Sequence, residues 1–282
     1  MRFPVHAWVG LAILIISEAL MLGQVEPFWT WHTAIAWTGF ILLVDGVVYR
    51  KRGHSWLSSN RREFWFLALV SIPLWVVFEG YNLLIRNWYY INLPENLIVR
   101  YFGYAWAFAT ISPALFETAE LAGLTIWRSP PTGTPTAPAG ASRHATLDSA
   151  MVALGVAMLG LPIVWPSQYL AAPIFMGFIF LLDPINARAG DESFLRDIRA
   201  GSYRRLVNLL VGGFICGVLW EFWNYWARAK WIYTVPILAE VKIFEMPVLG
   251  YFGFPPFALE CFTMYVFVRR LVWRGEKRAI AV

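Results

Sequence analysis

The chain has 282 residues, of which 59% are hydrophobic and 15% charged, and its mean hydropathy is +0.54. So little charge cannot clothe a soluble domain of this length, and apolar stretches near the ~20 residues that cross a hydrocarbon core recur about eight times. The formal net charge of +5 raises nucleic acid as a partner, and the placement of the charges excludes it.

In chain order the predicted spans are 5–23, 29–49, 64–86, 98–122, 149–166, 169–186, 205–227 and 245–268. The first carries Glu18 within its apolar run and is followed by no clear small-residue cleavage site, so it reads as a retained helix and not as a signal peptide. With the N-terminus in the cytoplasm, 18 of the 23 Lys and Arg fall on the inner side. They are Arg2, five in 50–62, Arg128 and Arg143, five in 188–205 and five in 269–278. The outer side keeps Arg86, Arg100, Arg228, Lys230 and Lys242. This asymmetry is the positive-inside pattern. It places both termini in the cytoplasm and the chain in a membrane, most simply a bacterial inner membrane, and leaves no footprint for nucleic acid. Cys216 and Cys261 both fall inside predicted helices, so no disulfide framework is expected.

The stretch 128–146 is rich in Pro, Gly, Ser and Thr and reads as a flexible linker. It separates residues 1–127 from 147–282, and the two parts resemble each other. GFILLVD at 39–45 matches GFIFLLD at 177–183, and SPALFE at 112–117 matches PPFALE at 255–260. Likewise PLWVVFEGYNLLIRNWYY at 73–90 matches GVLWEFWNYWARAKWIY at 217–233. Trp88 precedes Glu117 by 29 residues, as Trp231 precedes Glu260. The expected fold class is therefore all-α, a polytopic membrane helix bundle of about eight transmembrane helices arranged as two parallel four-helix repeats.

Each repeat carries the same polar residues. The first has Asp45, Glu79, Asn82, Trp88, Tyr90, Pro113 and Glu117; the second has Asp183, Glu221, Asn224, Trp231, Tyr233, Pro256 and Glu260. Glu79 with Asn82, and Glu221 with Asn224, lie three residues apart on one helical stripe, which Arg86 and Arg228 continue four residues on. A carboxylate at membrane depth costs about 2.5–3.5 kcal/mol on insertion scales unless it is paired, hydrated or protonated. Such a stripe is either an inter-helix clamp with a snorkelling Arg or a set of acids poised for proton transfer. Asp45 and Asp183, before basic loops, read as salt-bridge partners of the loop arginines. Glu18 and Glu120 have no repeat partner.

Glu245 breaks the symmetry, because it aligns with Phe102, and FEMPVLGYFGFPPF replaces YFGYAWAFATIS. Its prolines and glycines should bend or break the last helix, which a membrane protein tolerates where the backbone lines a cavity. Glu245 and Glu221 are the preferred functional pair. Among the 16 Trp, Trp29, Trp31, Trp56 and Trp273 fall at predicted helix ends and read as belt residues. Trp220, Trp223 and Trp226 go round their helix, so they read as lipid-facing or packing residues. Trp88 and Trp231, repeated beside Tyr90 and Tyr233, read as walls of a substrate pocket.

No Walker A, GxGxxG, GxSxG or HExxH motif occurs, and His6, His32, His54 and His144 are too scattered for a ligand set. No metal and no cofactor are expected, nor is prenyl transfer from a diphosphate.

The succession of Trp-Glu in a helix, Trp-x-Tyr, a Gly/Pro segment and a Pro-linked Glu over 217–262, and more faintly over 73–119, resembles the small membrane lycopene cyclase domain family. The resemblance implies duplicated few-helix units that cyclise carotenoid ends by acid–base chemistry on intramembrane carboxylates. Under it, Glu221 and Glu79 stand where that family has an acid beside Trp, and Glu245 or Glu260 stands for its Pro-x-Glu-Glu carboxylates, here single and not adjacent. The first expectation is a cyclase- or isomerase-like enzyme for an apolar isoprenoid such as a carotenoid or terpenoid. Its acids and bases are Glu221, Glu245, Glu79, Glu260 and Glu117, oriented by Asn224 and Asn82. The alternative is a non-catalytic membrane subunit or a proton-coupled transporter that binds a lipid or pigment.

Overall fold

The computed structural model describes residues 3–127 and 144–273. Among the described residues the chain is a helical bundle with two very small sheets, and seven of the helices are long and apolar enough to cross a membrane. The first part contributes α1 (Val5–Leu22), α2 (His32–Arg52), the short α3 (Trp56–Ser59), α4 (Arg61–Ile85), strand β1 (Trp88–Ile91) and α5 (Leu97–Ile126). The second part repeats this order with α6 (Ala145–Val164), α7 (Ala171–Ala189), α8 (Phe194–Arg199), α9 (Arg204–Trp226), β2 (Lys230–Tyr233) and α10 (Phe254–Val272).

The packing is duplicated as well. α1 lies on α2 as α6 lies on α7; α2 and α4 pack on α5 as α7 and α9 pack on α10. Across the two parts, α5 meets α9 and α10 meets α4. The α1–α2 and α6–α7 crossings are close because glycine faces backbone: a Cβ on Gly10 would lie 2.5 Å from the Gly39 carbonyl oxygen, and one on Gly155 2.4 Å from the Leu181 nitrogen. Small residues at such crossings let helices approach where lipid supplies no hydrophobic drive.

The helix ends use matched devices. α2 stops at Gly53 (φ +84°) and α7 at Gly190 (φ +82°), both in the left-handed conformation that glycine adopts freely. The next short helix is capped by Ser55 in one part and Ser193 in the other. Asp45 and Asp183 then reach across to these short helices. Asp45 accepts from Ser55 Oγ at 2.9 Å and Leu57 N at 2.8 Å; Asp183 accepts from Phe194 N at 2.8 Å and Leu195 N at 2.9 Å. Where salt bridges to loop arginines are expected, Asp183 instead takes two free amides of a helix start and Asp45 takes one such amide and the capping Ser55 hydroxyl, with His6 Nε2 2.8 Å away.

Four boundaries differ from the sequence reading. α5, the longest helix at 30 residues, is not among the seven apolar ones. It packs against α2, α4, α9 and α10, and Thr110–Glu120 is buried throughout, so Thr110, Thr118, Glu117 and Glu120 meet protein and not lipid. The last helix begins at Phe254 and not at 245, because Pro255 and Pro256 suit only a first turn. The preceding segment is a two-residue hairpin, β3 (Lys242–Ile243) with β4 (Met246–Pro247), and a tight turn over Val248–Gly253. α4 and α9 end before Arg86 and Arg228, so these arginines leave the helical stripe; Arg86 sits at φ +52°, and Arg228 pairs with Glu26 at 2.9 Å. Of the linker at 128–146, residues 128–143 lie outside the described residues, and the last two open α6.

Candidate functional site

The two copies of Trp-x-Tyr pair with each other. β1 and β2 form an antiparallel ribbon in which Trp88 faces Tyr233 and Tyr90 faces Trp231. A residue of one copy thus meets the other residue of the second copy, the signature of a two-fold relation between repeats. Alternate residues of a strand share a face, so these four aromatic side chains lie together on one side of the ribbon.

Asn82 and Asn224 fix each strand to its helix. Asn82 donates to the Trp88 carbonyl at 2.8 Å and accepts from the Asn87 and Trp88 amides at 2.8 and 3.2 Å. Asn224 donates to the Trp231 carbonyl at 2.8 Å and accepts from the Trp231 amide at 2.9 Å. Both asparagines therefore spend their polar atoms on the ribbon backbone.

One turn earlier on each helix, the glutamate meets the ribbon side chains. Glu79 Oε1 accepts from Tyr90 OH at 2.5 Å, Trp75 Nε1 at 2.8 Å and Trp88 Nε1 at 3.2 Å. Glu221 Oε1 accepts from Tyr233 OH at 2.9 Å, and Tyr233 itself accepts from Trp231 Nε1 at 2.8 Å. Glu221 is fully buried, and its Oε2 has no hydrogen-bond partner among the described residues. Burial, then the adjoining Glu79 carboxylate, lifts the Tyr90 phenol well above its ordinary value; burial and then Glu221 do the same for Tyr233. Both phenols are therefore protonated donors at neutral pH.

Beneath the ribbon, between the two repeats, lies a cavity of about 440 Å³, within the range that takes a drug-sized ligand. The four ribbon aromatics line it, with Trp37, Trp75, Phe175, Trp220 and Phe257 below and the Met246–Phe254 segment along one side. Its only charged lining residues among those described are Arg100 and Lys230. Glu79 and Glu221 do not line it; their hydrogen-bonding partners stand between carboxylate and cavity.

The remaining candidate acids lie elsewhere. Glu245, on the turn between β3 and β4, is ion-paired to Lys230 at 2.6 Å and lies within electrostatic reach of Glu221. Glu117 and Glu260 are buried in the central helices, away from the cavity lining. Glu260 Oε1 accepts from the Phe178 amide at 3.0 Å, and Glu117 lies against Asp45 with Arg52 within electrostatic reach. Glu120 is paired with Arg52, and Glu18 accepts from Trp223 Nε1 at 2.8 Å.

The tryptophans are sorted differently from the sequence expectation. Trp220 and Trp223 are 8% and 4% exposed and pack around Trp37, with ring centroids 5.1 and 4.8 Å from it. Trp56 is core, and Trp31 lines the cavity. Trp8, Trp65 and Trp165 face outward. Pocket walls Trp37 and Trp75 were not singled out from sequence. Trp75 carried a signal, since it lies four residues before Glu79 on one face. Trp37 did too, since it aligns in the repeat with another cavity aromatic, Phe175.

Among the described residues, no group of three or more His, Cys, Asp or Glu side chains is placed to hold a metal ion. Comparisons of the chain with family models, curated proteins and solved structures give no match.

Proposed function

We propose that this membrane protein binds an isoprenoid in the cavity between its repeats and isomerises or cyclises it by proton transfer, as the resemblance to the lycopene cyclase domain family implies. The observation that carries the reading is the pair of phenol–carboxylate contacts, Tyr90–Glu79 and Tyr233–Glu221, each with its phenol on the cavity wall.

In such a reaction a Tyr O–H delivers its proton to a substrate double bond, and the phenol oxygen regains one from the carboxylic acid behind it. The carbocation closes or rearranges and then loses a proton through the other phenol to the other carboxylate; the substrate gains one proton and loses one, and the pair is reset when Glu79 releases its proton to solvent and Glu221 takes one up. Glu79, with three donors on one oxygen, is built as the acceptor. Glu221, with one donor and an unmatched Oε2, is built as the source. The indole and phenyl faces of Trp37, Trp75, Trp220 and Phe257 present negative quadrupoles to the intermediate, each worth up to about 2 kcal/mol when desolvated.

One observation favours the second reading, a binding subunit without chemistry: neither carboxylate reaches the cavity itself. The two readings separate in a bacterial host that makes linear polyenes. The wild-type chain, but not Glu221→Gln or Glu79→Gln at equal folded yield, should convert part of the isoprenoid pool to an isomer of unchanged mass. A pool identical in all three strains refutes the catalytic reading.

A further inference from the structure

We propose that Arg100 holds the oxyanion head of an amphiphilic ligand whose apolar body fills the aromatic cavity. The inference rests on the cavity reading above and narrows its ligand from an apolar isoprenoid to one that ends in a carboxylate or phosphate.

Arg100 and Lys230 are the charged groups in the lining, and no carboxylate lines the cavity among the described residues. Lys230 is already neutralised by Glu245 at 2.6 Å. Arg100 is half-buried in the first turn of α5, and its one side-chain hydrogen bond among the described residues runs from Nε to the Pro94 carbonyl at 2.8 Å. The two terminal nitrogens of the guanidinium thus keep their donors, and among the described residues no acid is ion-paired with it. A half-buried cation beside apolar walls is costly unless it is paired. A planar guanidinium with both terminal nitrogens available matches the two oxygens of a carboxylate or phosphate.

The placement fits an elongated ligand. Arg100 and Ile111 both line the cavity from α5, eleven residues apart, which is about 16 Å along the helix axis at 1.5 Å per residue. The charge is at the ribbon end, and the wall beyond it is formed by Tyr104, Phe108 and Ile111. The repeat also singles Arg100 out: at the offset that aligns Glu117 with Glu260, its counterpart is Ile243. Neither duplication nor packing of the scaffold requires a cation here.

The test uses the full chain in nanodiscs of neutral phosphatidylcholine, with retinoic acid, retinyl phosphate and methyl retinoate as probes. Quenching of the cavity tryptophans reports binding. The wild type should bind retinoic acid or retinyl phosphate about tenfold or more tighter than the ester, equivalent to about 1.4 kcal/mol. Whichever acid binds tighter identifies the head. Arg100→Gln should lose that preference while its affinity for the ester, which reports an intact cavity, stays the same. Equal binding of acid and ester by the wild type, or a preference that survives in Arg100→Gln, overturns the proposal and leaves the cavity reading standing. A preference that vanishes in phosphatidylglycerol nanodiscs also overturns it, because Arg100 then serves bulk lipid phosphate. If no probe quenches saturably, the cavity reading fails and this inference with it.

Discussion

The phenol–carboxylate contact can be measured by a double-mutant cycle on Tyr233→Phe and Glu221→Met. Tyr233 donates to Glu221 Oε1 at 2.9 Å and accepts from Trp231 Nε1 at 2.8 Å. Phe at 233 therefore strands the indole N–H and the remaining bonded oxygen of a carboxylate that is 0% exposed and already has one unmatched oxygen. Stranding a buried polar group costs about 1–3 kcal/mol. Polar contacts between membrane helices average only ~0.6 kcal/mol with a ceiling near ~1.7, because the unfolded chain in lipid finds other partners. Full burial of Glu221 argues for the upper part of that range, so Tyr233→Phe should cost about 2 kcal/mol and the pair should couple by about 1–2 kcal/mol. The assay is reversible unfolding in mixed dodecylmaltoside and sodium dodecyl sulfate micelles, followed by circular dichroism for the wild type, both single variants and the double variant. Coupling within the ~0.3–0.5 kcal/mol scatter of independent sites would show that the bond carries no energy, and the proton relay built on it would lose its connection.

Three further outcomes follow from other contacts. Asn82→Ala removes three hydrogen bonds to the Asn87 and Trp88 backbone and should cost about 2–3 kcal/mol. Hydrogen exchange should quicken in both strands of the ribbon and not in α1, and unchanged protection at Trp88–Ile91 would refute the clip. Gly103→Ala places a Cβ 1.6 Å from the Trp31 ring, which lines the cavity. The ring must swing aside at a cost of about 1–3 kcal/mol, and a wild-type melting point and tryptophan spectrum would contradict the packing. Arg269→Met strands the Glu63 carboxylate, which is 1% exposed and 2.7 Å from the Arg269 Nε, for a loss of about 3–5 kcal/mol. Adding Glu63→Gln should recover much of it, because Asn60 and Tyr265 still meet that side chain; no recovery would show that the buried charge was not the cause.

The bundle was legible because lipid removes most alternatives: long apolar runs and the distribution of Lys and Arg locate helices before any packing is known. The repeat was legible because the matched residues are polar and therefore rare in such a chain. What each polar residue does was less legible. Asn82 and Asn224 bond to backbone two to five residues beyond the ends of their helices, a contact visible only once α4 and α9 stop before Arg86 and Arg228. The charge of the loops that follow points Asp45 and Asp183 to arginines, yet their donors are the start of the next short helix, backbone amides and the Ser55 hydroxyl, whose placement sequence does not display. The asymmetry of the alignment pointed to Glu221 with Glu245; Glu245 lies within electrostatic reach of Glu221, and its direct partner is Lys230 at the foot of the ribbon, which the alignment does not display. Trp220 and Trp223 circle α9 and could face lipid or pack; they pack because α2 covers one side of that helix and α10 another.

The central claim is that the cavity beneath the Trp88–Tyr233 ribbon holds an isoprenoid. It is tested most directly by mass spectrometry of the lipids extracted with the purified chain from a host that makes polyprenoids. The account predicts about one isoprenoid per chain, lost when Ala107→Phe fills the cavity and retained when the outward-facing Trp65 is replaced by Leu. Recovery of bulk phospholipid alone, or an isoprenoid content that Ala107→Phe leaves unchanged in folded protein, would contradict it.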